Sequence, residues 1–172
     1  IKTSFYGEGL EGLMNARAND LWGIVNGLDY NDWNPDTDYR LAKNFNISNF
    51  RRNKPANKMA LQEELGLDQD SHVMLIGIVS RLTDQKGFDL IAYIMDELCQ
   101  DAVQIVVLGT GEERYENMFR HFDWKYHGKV SAQIYYDEAM SHRIYAASDA
   151  FLMPSLFEPC GLSQLMSLRY GT

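Results

Sequence analysis

Three charged side chains on two short loops carry the chemistry that this sequence offers. Arg81 and Lys86 stand in Ser80-Arg81-Leu82-Thr83-Asp84-Gln85-Lys86-Gly87, between an apolar run and an amphipathic stretch. A guanidinium presents a planar fork to phosphate oxygens and an ammonium a compact, mobile charge, so the pair suits an anionic ligand. Glu158 stands between the apolar run Ala150 to Met153 and the helically spaced Leu162, Leu165, Met166 and Leu168. A carboxylate there can serve a ligand or complement a helix dipole, and Asp84 can pair with either cation; spacing leaves both readings open. Pro159 suits the first turn of the helix that would follow Glu158.

The elements that must hold these loops are short apolar strands alternating with amphipathic helices. Strands are expected over His72 to Ser80, Val103 to Leu108, Val130 to Tyr135 and Ala150 to Met153. Helices are expected over Gly87 to Gln100, Glu112 to Phe122, Ala139 to Ala147 and Leu162 to Leu168. Such alternation means βαβ units, a parallel sheet and helices on both faces: a doubly wound α/β domain. Both charged loops then lie beyond the carboxyl ends of strands, the edge at which open α/β sheets bind ligands. Upstream, Gly7 to Leu21 and Asn53 to Leu67 read as helices, the second with Pro55 in its first turn, and Trp22 to Val25 as a short strand. Asp29 to Asp38 is an acidic loop, solvated by default, in which Trp33 needs an anchor.

Other chemistries are disfavoured. Leu108-Gly109-Thr110-Gly111-Glu112-Glu113-Arg114 begins like a dinucleotide fingerprint, but Arg114 replaces the third glycine and two glutamates stand where a pyrophosphate would lie. A tight strand-to-helix turn is the better reading. His72, His121, His127 and His142 lack metal-site spacing, and His121 and His127 read as surface residues, so no metal is expected. Two cysteines are too few for a disulfide framework. With 45% hydrophobic and 23% charged residues, the 172-residue chain has the composition of a globular domain. Its net charge of −8 argues against nucleic acid or acidic lipid, and its apolar runs are too short to span a membrane.

Three ordered motifs carry a resemblance. Gly23-Ile24-Val25-Asn26-Gly27-Leu28-Asp29 with Trp33-Asn34-Pro35, then Val79 to Leu90, then Pro154 to Leu162 resemble segments of bacterial glycogen synthases and plant starch synthases. Leu108 to Gly111 and Ser141 to Ala146 match the same pattern. The resemblance implies a retaining glucosyltransferase of GT-B type, with two Rossmann-like domains facing across a cleft and moving glucose from ADP-glucose to the end of an α-1,4-glucan. It implies no cofactor beyond that donor substrate. Arg81 and Lys86 then grip the distal phosphate, and Glu158 faces the glucosyl group. Tyr136 lies against the adenine, with packing at a strand end as its alternative. Asn26 lies near the sugar, Gly161 and Leu162 offer backbone N–H groups to phosphate, and Cys160, in the same substrate-binding segment, is a packing residue and not a nucleophile.

The resemblance further implies that residues 1–28 are the end of an N-terminal domain and its connection, and that 29–172 are a nucleotide-sugar-binding domain cut short at its C-terminal end. The chain begins at Ile1 and stops at Thr172, and reads as a piece of a longer protein that needs its N-terminal domain for activity. Location would be cytoplasmic for a bacterial source and plastidial for a plant one. Departures from the family are Leu156 in place of a common arginine and Tyr135 in place of a small residue; Met166 stands where the wider superfamily has a second glutamate. Alternatives are a non-catalytic nucleotide- or glucan-binding module on the same scaffold, or a synthase using UDP-glucose.

Overall fold

A computed structural model describes all 172 residues. Four parallel strands, β1 (Met74–Val79), β2 (Val103–Leu108), β3 (Val130–Gln133) and β4 (Ala150–Phe151), form one sheet in the order β3-β2-β1-β4. β2 is buried throughout because helices cover both faces, which is why it reads as a continuous apolar run with no alternation. The connecting helices are α3 (Phe88–Leu98), α4 (Glu113–Lys125) and α5 (Glu138–Ala147), and α6 (Leu162–Arg169) follows β4; α1 (Glu11–Ala16) and α2 (Phe50–Glu64) precede the sheet. The doubly wound parallel architecture expected from the alternation is present.

Strand residues divide by parity between the two faces. Ile76, Ile78, Ile105 and Val107 pack with Phe88, Ile91 and Met95 of α3 and Phe119 and Phe122 of α4. Leu75, Val106 and Leu108 point the other way, onto Leu61 of α2 and Met140, Ile144 and Ala147 of α5. A third cluster, Phe45, Tyr145, Ala146 and Tyr170, joins the segment before α2 to α5 and to the end of α6, with Trp33 against it. Lys54 fastens the same corner: its ammonium donates to the carbonyls of Tyr145, Ala146 and Tyr170 and to Thr172 Oγ1. Burial, reinforced by Lys58 and opposed by Asp149, pushes the Lys54 pKa down to about 8.

Several local expectations are corrected. The Gly7 to Leu21 helix is reduced to α1 and a 3-10 turn at Ala18–Asp20, with no buried residue in either. Leu10 and Leu13 face solvent, and a helix without an apolar partner is marginal at this length. Trp22 to Val25 forms no strand; no neighbouring strand pairs with it, and Trp22, Ile24 and Val25 are exposed. α2 begins at Phe50, so Pro55 lies inside the helix and not in its first turn. β4 pairs over two residues only, before Pro154 ends the ladder. α6 begins at Leu162 after Gly161 at φ 77°, so Glu158 and Pro159 belong to the loop and not to the helix start.

Candidate functional site

The strand order reverses at β1: the chain moves outward through β2 and β3, then returns to place β4 on the other side of β1. The loops leaving β1 and β4 therefore emerge side by side, forming the crevice characteristic of such a reversal. Backbone bonds zip them together. Leu156 N–H donates to Gln85 O at 2.9 Å, and the Gln85 side chain donates to Phe157 O at 3.0 Å. Gly87, at φ 69°, lies so close to Pro154 that a Cβ would stand 2.2 Å from the Pro154 carbonyl oxygen.

Across this crevice Lys86 Nζ meets Glu158 Oε1 at 2.5 Å, with the two side chains only 14% and 20% exposed. Ser155 Oγ donates to the same carboxylate oxygen at 2.7 Å. Burial raises the Glu158 pKa, but hydrogen bonds from Lys86 and Ser155 and the charges of Lys86 and Arg81 outweigh it and hold the carboxyl below its ordinary range. Glu158 is therefore an anion tied to a cation, and it caps no helix. Asp84 is not the partner of Arg81 or Lys86: it pairs with Arg114 and accepts from Tyr115 Oη at 2.5 Å. Arg81 is exposed and free of any carboxylate.

Arg81 opens onto a cavity of 310 Å³ beyond the ends of β1, β2 and β3, whose wall includes Trp33, Thr110, Tyr136, Glu138 and Met166. Tyr136 stands at its rim, 86% exposed; Tyr135, more enclosed, donates through its hydroxyl to Gln133 Oε1 at 2.9 Å. Two larger grooves, 580 and 730 Å³, lie around the start of α2 and contain none of the candidate catalytic or substrate-binding residues. The Gly109-Thr110-Gly111 turn is clamped to the Arg81 loop: Leu82 N–H donates to Thr110 O and Glu112 N–H to Leu82 O. A Cβ on Gly111 would stand 2.2 Å from Leu82 O. Of the two glutamates that argued against a dinucleotide, Glu112 serves this clamp by accepting from Asp84 N–H, and Glu116, one turn into α4, accepts from Gly111 N–H.

The remaining sequence-derived residues cluster more loosely. The Cys160 thiol reaches the Asn26 carbonyl at 3.6 Å, so Asn26 arrives beside the Glu158 loop through its backbone. Gly161 and Leu162 open α6 there but do not line the cavity, to which α6 contributes Ser163 and Met166.

One buried assembly has no local sequence signal. His142 is fully buried; its Nδ1 is 2.7 Å from Asp38 Oδ2, and Tyr170 Oη donates to the same oxygen at 2.6 Å. The carboxylate can only accept, so Nδ1 carries the proton. Burial pulls the Asp38 pKa up, but bonds from Tyr170, Arg40 N–H and His142 bring it below the ordinary value. The Trp33 indole stacks on the His142 ring at 3.8 Å, which supplies the anchor that its loop required. Donor atoms of Asp32, Glu138 and His142 converge within 4.8 Å, a grouping that linear spacing concealed. The Arg40 guanidinium reaches in among them, 2.8 Å from Asp32 and 3.7 Å from Glu138, and supplies the balancing positive charge.

A four-stranded parallel sheet with helices on both faces, and a cation–carboxylate pair beside a cavity at its reversal, defines a domain of the Rossmann-like class. The chain belongs to the glycosyl transferases group 1 family, whose model matches residues 74–172. Over all 172 residues it is 70% identical to a glycogen synthase of Lachnospira eligens and 60% identical to one of Lachnoclostridium phytofermentans. It spans 36% of the length of each of these relatives. Among solved structures, the catalytic domain of starch synthase IV from Arabidopsis thaliana, bound to ADP and acarbose, is similar with a TM-score of 0.92 and 39% identity. That match covers 99% of this chain and 35% of the other. Anabaena HepE, in complex with UDP and glucose, shares the fold, with a TM-score of 0.52 over 75% of this chain and 35% of its own at 19% identity.

Proposed function

We propose that the protein containing this chain is an ADP-glucose-dependent glycogen or starch synthase, extending an α-1,4-glucan with retention of configuration. The observation that carries the reading is the Lys86–Glu158 pair at the strand reversal, with Arg81 beside it and the 310 Å³ cavity adjoining. Identity of 70% to a glycogen synthase supports it, as does likeness to a starch synthase domain bound to ADP and acarbose. In this reading residues 29–172 hold the donor nucleotide, residues 1–28 lead in from an N-terminal domain that holds the glucan, and the donor is a substrate, with no resident cofactor or metal. A bacterial source would put the protein in the cytoplasm and a plant source in the plastid.

Each residue then has a defined task. Cleavage of the glucose–phosphate bond leaves extra negative charge on the distal phosphate of ADP. Lys86, held in place by Glu158, and Arg81, at the mouth of the cavity, stabilise that charge as it develops. Glu158, kept ionised by Lys86 and Ser155, orients the glucosyl group and faces the positive charge building at its anomeric carbon. It has no proton to donate, and a departing diphosphate requires none. Tyr136 stacks on the base, and Asn26, Gly161 and Leu162 border the sugar and phosphates.

The test is transfer of labelled glucose from ADP-glucose to glycogen by the full-length protein. Replacing Lys86 or Arg81 by Ala is expected to lower turnover by about 3 kcal/mol in activation free energy, with a smaller change in donor KM. Near-normal turnover in either variant would overturn the assignment. The isolated 172 residues are expected to elongate no glucan.

A further inference from the structure

The 310 Å³ cavity has two carboxylates on its wall, Asp137 and Glu138. Asp137 is committed: it caps α5, its Oδ1 accepting from Met140 N–H at 2.8 Å. The Glu138 carboxylate accepts no hydrogen bond; its nearest cation, Arg40, is 3.7 Å away and already bound to Asp32 and Asp38. The hydroxyls nearby are partly engaged, Ser141 with the Glu138 carbonyl and Ser163 with Val79 O. Met166, on the same wall, offers only a weak thioether acceptor. Glu138 is thus the one carboxylate on the cavity wall that receives no hydrogen bond, its only charge partner being the shared Arg40.

We infer that Glu138 receives the ribose hydroxyls of the bound nucleotide and sets a preference for ribo- over deoxyribonucleotides. The inference rests on the reading of this cavity as the nucleotide pocket. A nucleoside diphosphate held through its phosphates at Arg81 and through its base at Tyr136 has its ribose between them. Glu138 lies two residues beyond Tyr136, where the chain enters α5. A carboxylate can accept from both hydroxyls of a vicinal diol, the same chemistry by which dinucleotide folds read a ribose.

Calorimetric titration of the full-length protein with ADP and with 2′-deoxy-ADP tests this. The wild type is expected to bind ADP about 10- to 100-fold more tightly than the deoxy analogue, as for a hydrogen bond to a charged group. Glu138→Ala should bring the ratio close to one by weakening ADP and leaving 2′-deoxy-ADP little changed, and Glu138→Gln should keep part of the preference. Asp137 still caps α5 in both variants, so the helix start is preserved. An unchanged ratio in Glu138→Ala, or a wild type indifferent to the 2′-hydroxyl, overturns the role of Glu138. Absence of any ADP binding overturns the nucleotide pocket itself, and the role with it.

Discussion

Lys86 and Glu158 each make the other's position tolerable. Either charge alone, four-fifths or more enclosed, would lose hydration without recompense; together, with Ser155 adding a second donor, they form a compact ion pair. The consequence for pH follows from the sign of the shift. The folded-state pKa of Glu158 is depressed, so its contribution to stability is present above the ordinary carboxyl value of 4.5 and is lost as pH falls through the folded value. Thermal unfolding of the wild type and Glu158→Gln should therefore differ by a constant amount from neutrality down to about pH 5, then converge in more acid solution. A difference that widens with acid would remove the ion pair from the account. Both residues were marked in the sequence by their types and their loops. Their contact was not, because 72 residues separate them.

At the level of elements, the strands and helices after Met74 follow from hydrophobic period and turn residues. Their ends shift where neighbours intervene. β4 stops after two paired residues, and α6 waits until Gly161 turns the chain. Gly87 shows how closely the two site loops are fitted. Any side chain there must hold a left-handed φ and also occupy space filled by the Pro154 carbonyl. Gly87→Ala is expected to destabilise the fold by about 2 kcal/mol and to move the neighbouring Lys86 off Glu158, measurable as a lowered denaturant midpoint and lost turnover. A variant with unchanged midpoint would show that the loops are free to separate. The upstream helix and strand read from local pattern between Gly7 and Val25 largely fail for the opposite reason: nothing packs on their apolar residues, and period alone does not order a segment.

Across the whole molecule, the Asp38–His142–Tyr170 assembly joins the acidic loop to α5 and the end of α6, Asp38 lying 104 and 132 positions from its two partners. It also supports Trp33, one wall of the cavity, so a structural centre and the candidate site share a side chain. Asp38→Ala should cost about 3 kcal/mol, since it strands a buried imidazole and a buried phenol and frees Arg40 from one partner. Equilibrium unfolding measures this; a loss below about 1 kcal/mol would mean that water replaces the carboxylate. The legible part of this protein is the part governed by neighbours in sequence: the alternation of strands and helices, the turns, and the residue types able to bind a phosphate or face a sugar. Strand order, the Lys86–Glu158 contact, the unfilled hydrogen-bonding capacity of Glu138 and the burial of Asp38 lie outside that reach. Each depends on where the chain returns after long excursions. That is settled by which apolar faces cover the sheet and which buried polar groups find partners, balances struck over the entire fold.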